Sequence, residues 1–309
     1  MKKSNSKNKI KKQDFLSLMD ISPESARKII KNAFFLKKNR RQKSALKKKT
    51  IALIFEKPST RTRISFECAI HELGGYPLFI TTNDSQLARG ETVADTARTL
   101  SRYVSGIVMR TFSHDTLNIM AEYADIPVVN ALSDLLHPCQ ALADVMTIIE
   151  KKGRINSCRV AYIGDGNNVA NSLIESSQVF GFALTIACPP GFEPDRMVLD
   201  RALKAGADIR VVNDPQTAAQ GADVLYTDVW VSMGQEKSTQ DRIKAFEPFR
   251  IDSDLLSAAK SDAIVMHCLP AHRGEEISSD VLDGPQSVVW DQAENRLHTQ
   301  KALLEFLIP

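Results

Sequence analysis

Short apolar or β-branched runs alternate with longer stretches whose apolar residues recur every three to four positions. Runs of four to six such residues bounded by turn-formers predict strands, and the 3.6-residue repeat predicts amphipathic helices. The strands expected first are 50–55, 77–80, 106–110 and 127–130. A second series follows at 159–163, 184–187, 208–211, 224–227, 263–266 and 288–290. Between them, Phe66, Ala69, Ile70 and Leu73 share one helical face, and Leu142, Val145, Met146 and Ile149 another. A last helix is expected over 294–307, positioned to pack back on the first half. Strand–helix alternation of this kind predicts an α/β protein built on parallel sheets. The Lys151-Lys152-Gly153-Arg154 turn opens the second series, so the chain divides near 131–155, with the helix after His137 as a bridge. Two open parallel-sheet α/β domains result, with the active site in the cleft between them, where such sheets bind ligands.

Composition changes this picture little. The 309 residues are 43% hydrophobic and 25% charged, with ordinary glycine and proline, which excludes collagen-like and low-complexity chains. No run approaches the roughly 18 apolar residues of a membrane span. The charge is uneven. Residues 1–50 hold 17 of the 40 Lys/Arg and three of the 37 Asp/Glu, while the remaining 259 residues carry 23 bases against 34 acids. A leader such as MKKSNSKNKIKK attracts nucleic acid or anionic surfaces in some proteins. Here it has no interleaved aromatic residues, so a solvated basic face with no nucleic-acid partner is expected. No apolar segment follows it as in a secretory signal. Five scattered cysteines without a CxxC spacing fit a reducing, cytoplasmic setting. His267, Cys268 and His272 come nearest to a metal-ligand cluster, but no second cluster completes it, and no metal or organic cofactor is expected.

The segment Phe55-Glu56-Lys57-Pro58-Ser59-Thr60-Arg61-Thr62-Arg63 lies where a strand stops and a helix begins. A serine or threonine cap satisfies the first amides of that helix. Two arginines in a first turn oppose the helix dipole unless an anion balances them, which points to a dianion site on Ser59, Thr60, Arg61 and Thr62. Arg110, at the carboxyl end of its strand, supplies a second guanidinium to the same anion. Pro138 suits the first position of a helix, which puts His137 at its cap. A histidine facing helix amides is biased to the neutral form, a donor to a carbonyl oxygen. Gly164-Asp165-Gly166-Asn167-Asn168 resembles half a dinucleotide fingerprint. Its third glycine is missing, and Pro189-Pro190 stands where a ribose-binding acid would follow. A nicotinamide oxidoreductase is therefore a remote alternative, and Asn168 instead offers its amide to a ligand. Asp228, at the end of 224–227 and before Ser232-Met233-Gly234, suits an ammonium group. Cys268 lies at the mouth of strand 263–266.

Taken in order, STRTR, HPCQ, DVWVSMG and HCLPAHRGEEI resemble the aspartate/ornithine carbamoyltransferase family, over residues 13–309. The resemblance implies transfer of the carbamoyl group of carbamoyl phosphate to the side-chain amine of L-ornithine, giving L-citrulline and phosphate. It implies that Ser59, Thr60, Arg61, Thr62 and Arg110 hold the phosphate, that His137 and Gln140 grip the carbamoyl group, and that Cys268, Leu269 and Arg296 complete that side. Ornithine would meet Asn168, Asp228, Ser232 and Met233, and Arg61, His137 and Cys268 would be the catalytic groups. The segment Asp84–Glu91 matches the loop that lends Gln86 to a neighbouring subunit, so a homotrimer or a multiple of trimers is implied. Residues 1–135 with 293–309 would bind carbamoyl phosphate, and 136–292 ornithine. The aspartate-specific branch carries a lysine in the lent loop and a Pro-Leu-Pro loop; this chain has Gln86-Leu-Ala-Arg89 and Cys268-Leu-Pro270. Putrescine and N-acylated ornithine remain as alternative acceptors, although the Ser-Met-Gly loop that such enzymes alter is intact here.

Overall fold

The computed structural model describes residues 12–39, 44–81, 85–231 and 239–308. The first half is β1 (Thr50–Phe55), β2 (Tyr76–Thr81), β3 (Gly106–Arg110) and β4 (Val128–Leu132), with helices α1 (Pro23–Lys38), α2 (Thr60–Glu72), α3 (Val93–Tyr103) and α4 (His114–Tyr123). Helix α5 (Pro138–Lys152) leads into β5 (Arg159–Ile163), α6 (Asn168–Phe180), β6 (Ala183–Ala187), α7 (Arg196–Lys204), β7 (Ile209–Val212), α8 (Pro215–Ala219) and β8 (Val224–Thr227). The chain ends with α9 (Thr239–Phe246), α10 (Ser253–Ala258), β9 (Ile264–His267), α11 (Ser279–Leu282) and α12 (Val289–Leu307).

Every strand pairing is parallel, in two sheets ordered β2-β1-β3-β4 and β7-β6-β5-β8-β9. The fold class is therefore the expected one, and nine of the ten predicted strands form within one or two residues of their expected bounds. The tenth does not. At 288–290 the chain makes one bridge, Ser287 to Val265, and then turns into α12. A β-branched pair looked like a strand because three residues carry no readable period, and the helix consequently starts five residues earlier than expected.

Strand order fixes where the site must lie. In the first sheet the order reverses between β1 and β3, and in the second between β5 and β8. Crevices at such reversals open at the carboxyl ends of the strands, with loops diverging to either side. The four loops concerned carry Ser59, Arg110, Asn168 and Asp228.

One apolar core runs through both halves. It joins Leu53 and Val108 of the first sheet to Leu142, Val145 and Met146 of α5, to Val160 and Tyr162 of β5, and to Leu303 and Leu304 of α12. Helix α12 packs on α1, α2 and α5, so the last helix does return to the first half. Gly153 ends α5 in the left-handed region, φ 77°, which a residue with a Cβ adopts only at a cost.

Candidate active site

The segment after β1 begins with a tie between loops. Glu56 donates its backbone N–H to the Arg110 carbonyl (2.9 Å), and its carboxylate accepts from the Thr111 hydroxyl (2.5 Å) and the Phe112 N–H (3.0 Å). This glutamate, unremarked in the sequence, sets the spacing between the loops after β1 and β3. Ser59 caps α2, its Oγ accepting from the Thr62 N–H at 3.3 Å. Thr62 is buried, and its Oγ1 accepts from Arg296 Nη2 (2.9 Å), which draws α12 onto the start of α2.

Guanidinium groups gather here, and among the described residues none of Arg61, Arg110 and Arg296 forms a direct ion pair with a carboxylate. Burial, then the charges of Arg296 and Arg61, pulls Arg110 down to about 10, still protonated at neutral pH. Burial likewise lowers Arg296. Arg110 Nε and Arg296 Nε are buried and have no hydrogen-bond partner among the described residues. Buried donors are almost always satisfied in a finished interior, so these two nitrogens leave the polar interior incomplete beside the cavity that their side chains line.

His137 caps α5, with Pro138 first in the helix, and its N–H donates to Ser172 Oγ at 2.7 Å. Its pKa lies well below 6.5, so the ring is neutral as expected. The main cause is burial, followed by the charges of Arg296 and Arg110, rather than the helix amides. Its Nδ1 is buried and unpaired. Gln140 sits one turn on, its Oε1 accepting from Arg296 Nη1 at 2.7 Å.

The facing wall comes from the second sheet. Asn167 caps α6 and donates from its side chain to Asp228 Oδ2 (2.8 Å), and Cys268 Sγ donates to Asp228 Oδ1 (2.9 Å). Asn168 Nδ2 donates to the Ser133 carbonyl (2.6 Å), bridging the two halves. Burial, then the neighbouring Asp228, holds the Cys268 thiol well above 9, so it stays protonated. That makes Cys268 a donor steadying Asp228 in this arrangement. His267 accepts from the Leu269 N–H at Nδ1 (2.9 Å) and pairs through Nε2 with Glu276 (3.0 Å). Leu269 is thereby held with φ 57°. Asp228, His267 and Cys268 lie close enough to share a metal ion, but these bonds already occupy both ring nitrogens and the thiol proton.

A cavity of about 350 Å³ lies between the walls. It is lined by Ser59, Thr60, Arg61, Thr62 and Arg110 on one side, by His137 and Arg296 at its floor, and by Asn168, Asp228, Cys268 and Leu269 opposite. Gln140 stands behind Arg296 and is not among the lining residues. Gln86 is exposed in a short turn, Gln86–Arg89, and does not line its own chain's cavity. Ser232 and Met233 fall outside the described residues, as does the leader up to residue 11. Lys57, not singled out in the sequence, also lines the cavity, as does His272, considered above only for a metal cluster. Both lie inside quoted motifs, which was the available signal. The dinucleotide alternative fails on space. A Cβ on Gly166 would stand 2.3 Å from the backbone of Glu193 and Pro194, so this glycine admits the chain's own 189–195 segment rather than a pyrophosphate.

Comparison with known proteins adds a second, independent line. Residues 13–150 match the family described as aspartate/ornithine carbamoyltransferase, carbamoyl-P binding domain, and residues 156–307 its Asp/Orn binding domain. An ornithine carbamoyltransferase of Acidothermus cellulolyticus is 55% identical over 299 residues, covering 95% of this chain and 96% of its own. One from Syntrophus aciditrophicus is 54% identical over 301 residues, covering 96% and 100%. The solved ornithine carbamoyltransferase of Pyrococcus furiosus superposes with a TM-score of 0.92 at 50% identity, over 96% of this chain and 97% of its own.

Proposed function

The chain belongs to the aspartate/ornithine carbamoyltransferase family, and we propose that it transfers the carbamoyl group of carbamoyl phosphate to the side-chain amine of L-ornithine, releasing L-citrulline and phosphate. The observation that carries this reading is the polarity of the cavity, with the Arg61, Arg110 and Arg296 guanidinium groups and a helix N-terminus at one end and the Asp228 carboxylate at the other. Such a cavity takes a dianion and an ammonium together.

In this reading the phosphate sits on the first turn of α2, held by Ser59, Thr60, Arg61 and Thr62 and by the Arg110 guanidinium. Thr62, His137 and Arg296 face the carbamoyl group, with Gln140 behind Arg296. The ornithine amine attacks the carbonyl carbon, forming the C–N bond. The C–O bond to phosphate then breaks, and the amine gives up a proton. Negative charge grows on the carbonyl oxygen on the way, so donors fixed beforehand lower the barrier. A neutral His137 serves as such a donor, and Arg61 and Arg110 stabilise the leaving phosphate. Asp228, steadied by Asn167 and Cys268, takes the α-ammonium group, beside Asn168, Ser232 and Met233.

Residues 1–135 with 293–309 form the carbamoyl-phosphate half in this proposal, and 136–292 the ornithine half. The assembly is a homotrimer or a multiple of one, in which the exposed Gln86 turn completes a neighbour's site. Free cysteines throughout support a reducing, cytoplasmic setting. No helix among the described residues is long and apolar enough to cross a membrane.

The test is a citrulline assay with carbamoyl phosphate and ornithine, aspartate, putrescine or N-acetylornithine in parallel. Turnover with ornithine alone is expected, and Arg61→Ala should cost about 10²–10³ in kcat, the scale of losing one group fixed in advance on a developing negative charge. Turnover only with another acceptor would overturn the assignment of Asp228 and the loop after it.

A further inference from the structure

Behind the cavity lies a buried carboxylate that does not line it and that meets the groups assigned to substrate only through Gln140. Asp144, on α5 one turn after Gln140, accepts at Oδ1 from Gln140 Nε2 (2.8 Å) and Gln292 Nε2 (2.7 Å), and at Oδ2 from the Tyr226 hydroxyl (3.0 Å). All four side chains are buried. Each glutamine passes the contact on. Gln140 Oε1 accepts from Arg296 Nη1 at 2.7 Å, and Arg296 reaches Thr62. Gln292 Oε1 accepts from the His267 N–H at 2.9 Å, beside Cys268 and Leu269.

We propose that Asp144 is a positioning residue for carbamoyl recognition, which by accepting from both glutamine amides locks the Arg296 wall and the Cys268–Leu269 wall in register. The argument rests on the carbamoyltransfer reading above. An amide has a donor end and an acceptor end, and a guanidinium only donates. Gln140 lies between Arg296, which can only give hydrogen bonds, and a carboxylate, which can only take them. One orientation satisfies both neighbours; the flipped amide would set NH₂ against guanidinium and oxygen against carboxylate. Gln292 is constrained in the same way between Asp144 and the His267 N–H. Without the carboxylate, both amides are free to turn, and the Arg296 guanidinium loses the acceptor that fixes its plane. In a buried network the loss is felt along the whole chain of bonds.

The test is a double-mutant cycle on the full-length enzyme, read as kcat/KM for carbamoyl phosphate and as the KM for ornithine. Asp144→Leu should lower kcat/KM for carbamoyl phosphate about 50-fold while leaving the ornithine KM within about 3-fold. Asp144→Asn, which keeps one acceptor oxygen for both amides, should stay within about 5-fold of the parent. In a Gln140→Ala background, Asp144→Leu should cost only about 5-fold more, because the residue it acts through is already gone. If Asp144→Leu does not fold, Asp144→Ser, whose hydroxyl anchors fewer bonds, takes its place in the cycle. Losses that multiply in full, a loss confined to the ornithine KM, or an Asn variant as poor as Leu would each overturn the proposal. A parent enzyme that makes no citrulline overturns the carbamoyltransfer reading instead, before any variant is compared.

Discussion

The neutral ring of His137, on which its proposed role depends, is a property that burial gives it. The sequence placed it at a helix cap and predicted a neutral ring, but the neutral form comes mainly from desolvation beside Arg296 and Arg110. This has a stability consequence of definite sign. Below about pH 6.5 the unfolded chain binds a proton here that the folded site refuses, so this histidine withdraws stability as pH falls. In His137→Gln, the loss of unfolding free energy between pH 7 and pH 5 should be smaller by up to about 1.4 kcal/mol per pH unit. Urea titrations of both proteins would measure it. Asp144 and Asp165, both pushed up to about 6 by burial, act in the opposite direction, and their contribution largely cancels in the comparison. Lys57 and Glu56 belong to this scale too. Neither was picked out in the sequence, since a lysine over the Phe112 ring (4.1 Å) and a glutamate spanning two loops depend on partners about fifty residues away.

Elements were legible wherever period and punctuation agreed. Strands β1, β3, β5 and β8 fall on their expected bounds because runs of three to five buried apolar residues, as in Ile51–Phe55 and Val160–Ile163, admit few other conformations. The start of α12 was misread, since Val288, Val289 and Trp290 satisfy a strand pattern too short to be tested against a helical one. Two glycines at element ends separate backbone need from space. Gly181 ends α6 at φ 78° with nothing within 4 Å of an added Cβ, whereas Gly166 meets the Glu193–Pro194 backbone at 2.3 Å. Gly181→Ala should therefore cost about 1 kcal/mol, the left-handed penalty alone. Gly166→Ala should cost about 3 kcal/mol, since backbone must move to admit the methyl group. Equal losses in urea unfolding would contradict this distinction.

At the scale of the whole molecule, the cavity exists because two sheets turn their reversal points towards each other while α5 and α12 hold them on one core. The exposed Gln86 turn does not reach its own cavity, which supports a site completed across subunits. If so, Gln86→Ala and Arg61→Ala subunits, each poorly active alone, should regain activity when dissociated and reassembled together. In a cyclic trimer every mixed assembly then holds one site with an intact Arg61 and an intact neighbouring Gln86. No gain on mixing would place Gln86 outside the mechanism.

By itself the sequence determined the α/β class, nearly all the strands, and many of the residues that the fold gathers around one cavity. Apolar periodicity, helix caps and the order of four motifs are local properties, and local sequence fixes them. Tertiary structure alone decided that Cys268 is a donor to Asp228, that Gly166 serves the chain's own backbone, and that Asp144 lies behind Gln140 and Arg296. Each of these depends on desolvation or on a partner remote in sequence. A protonation state or an amide's orientation is set by what surrounds the group in the folded chain, and no neighbour along the sequence carries that information.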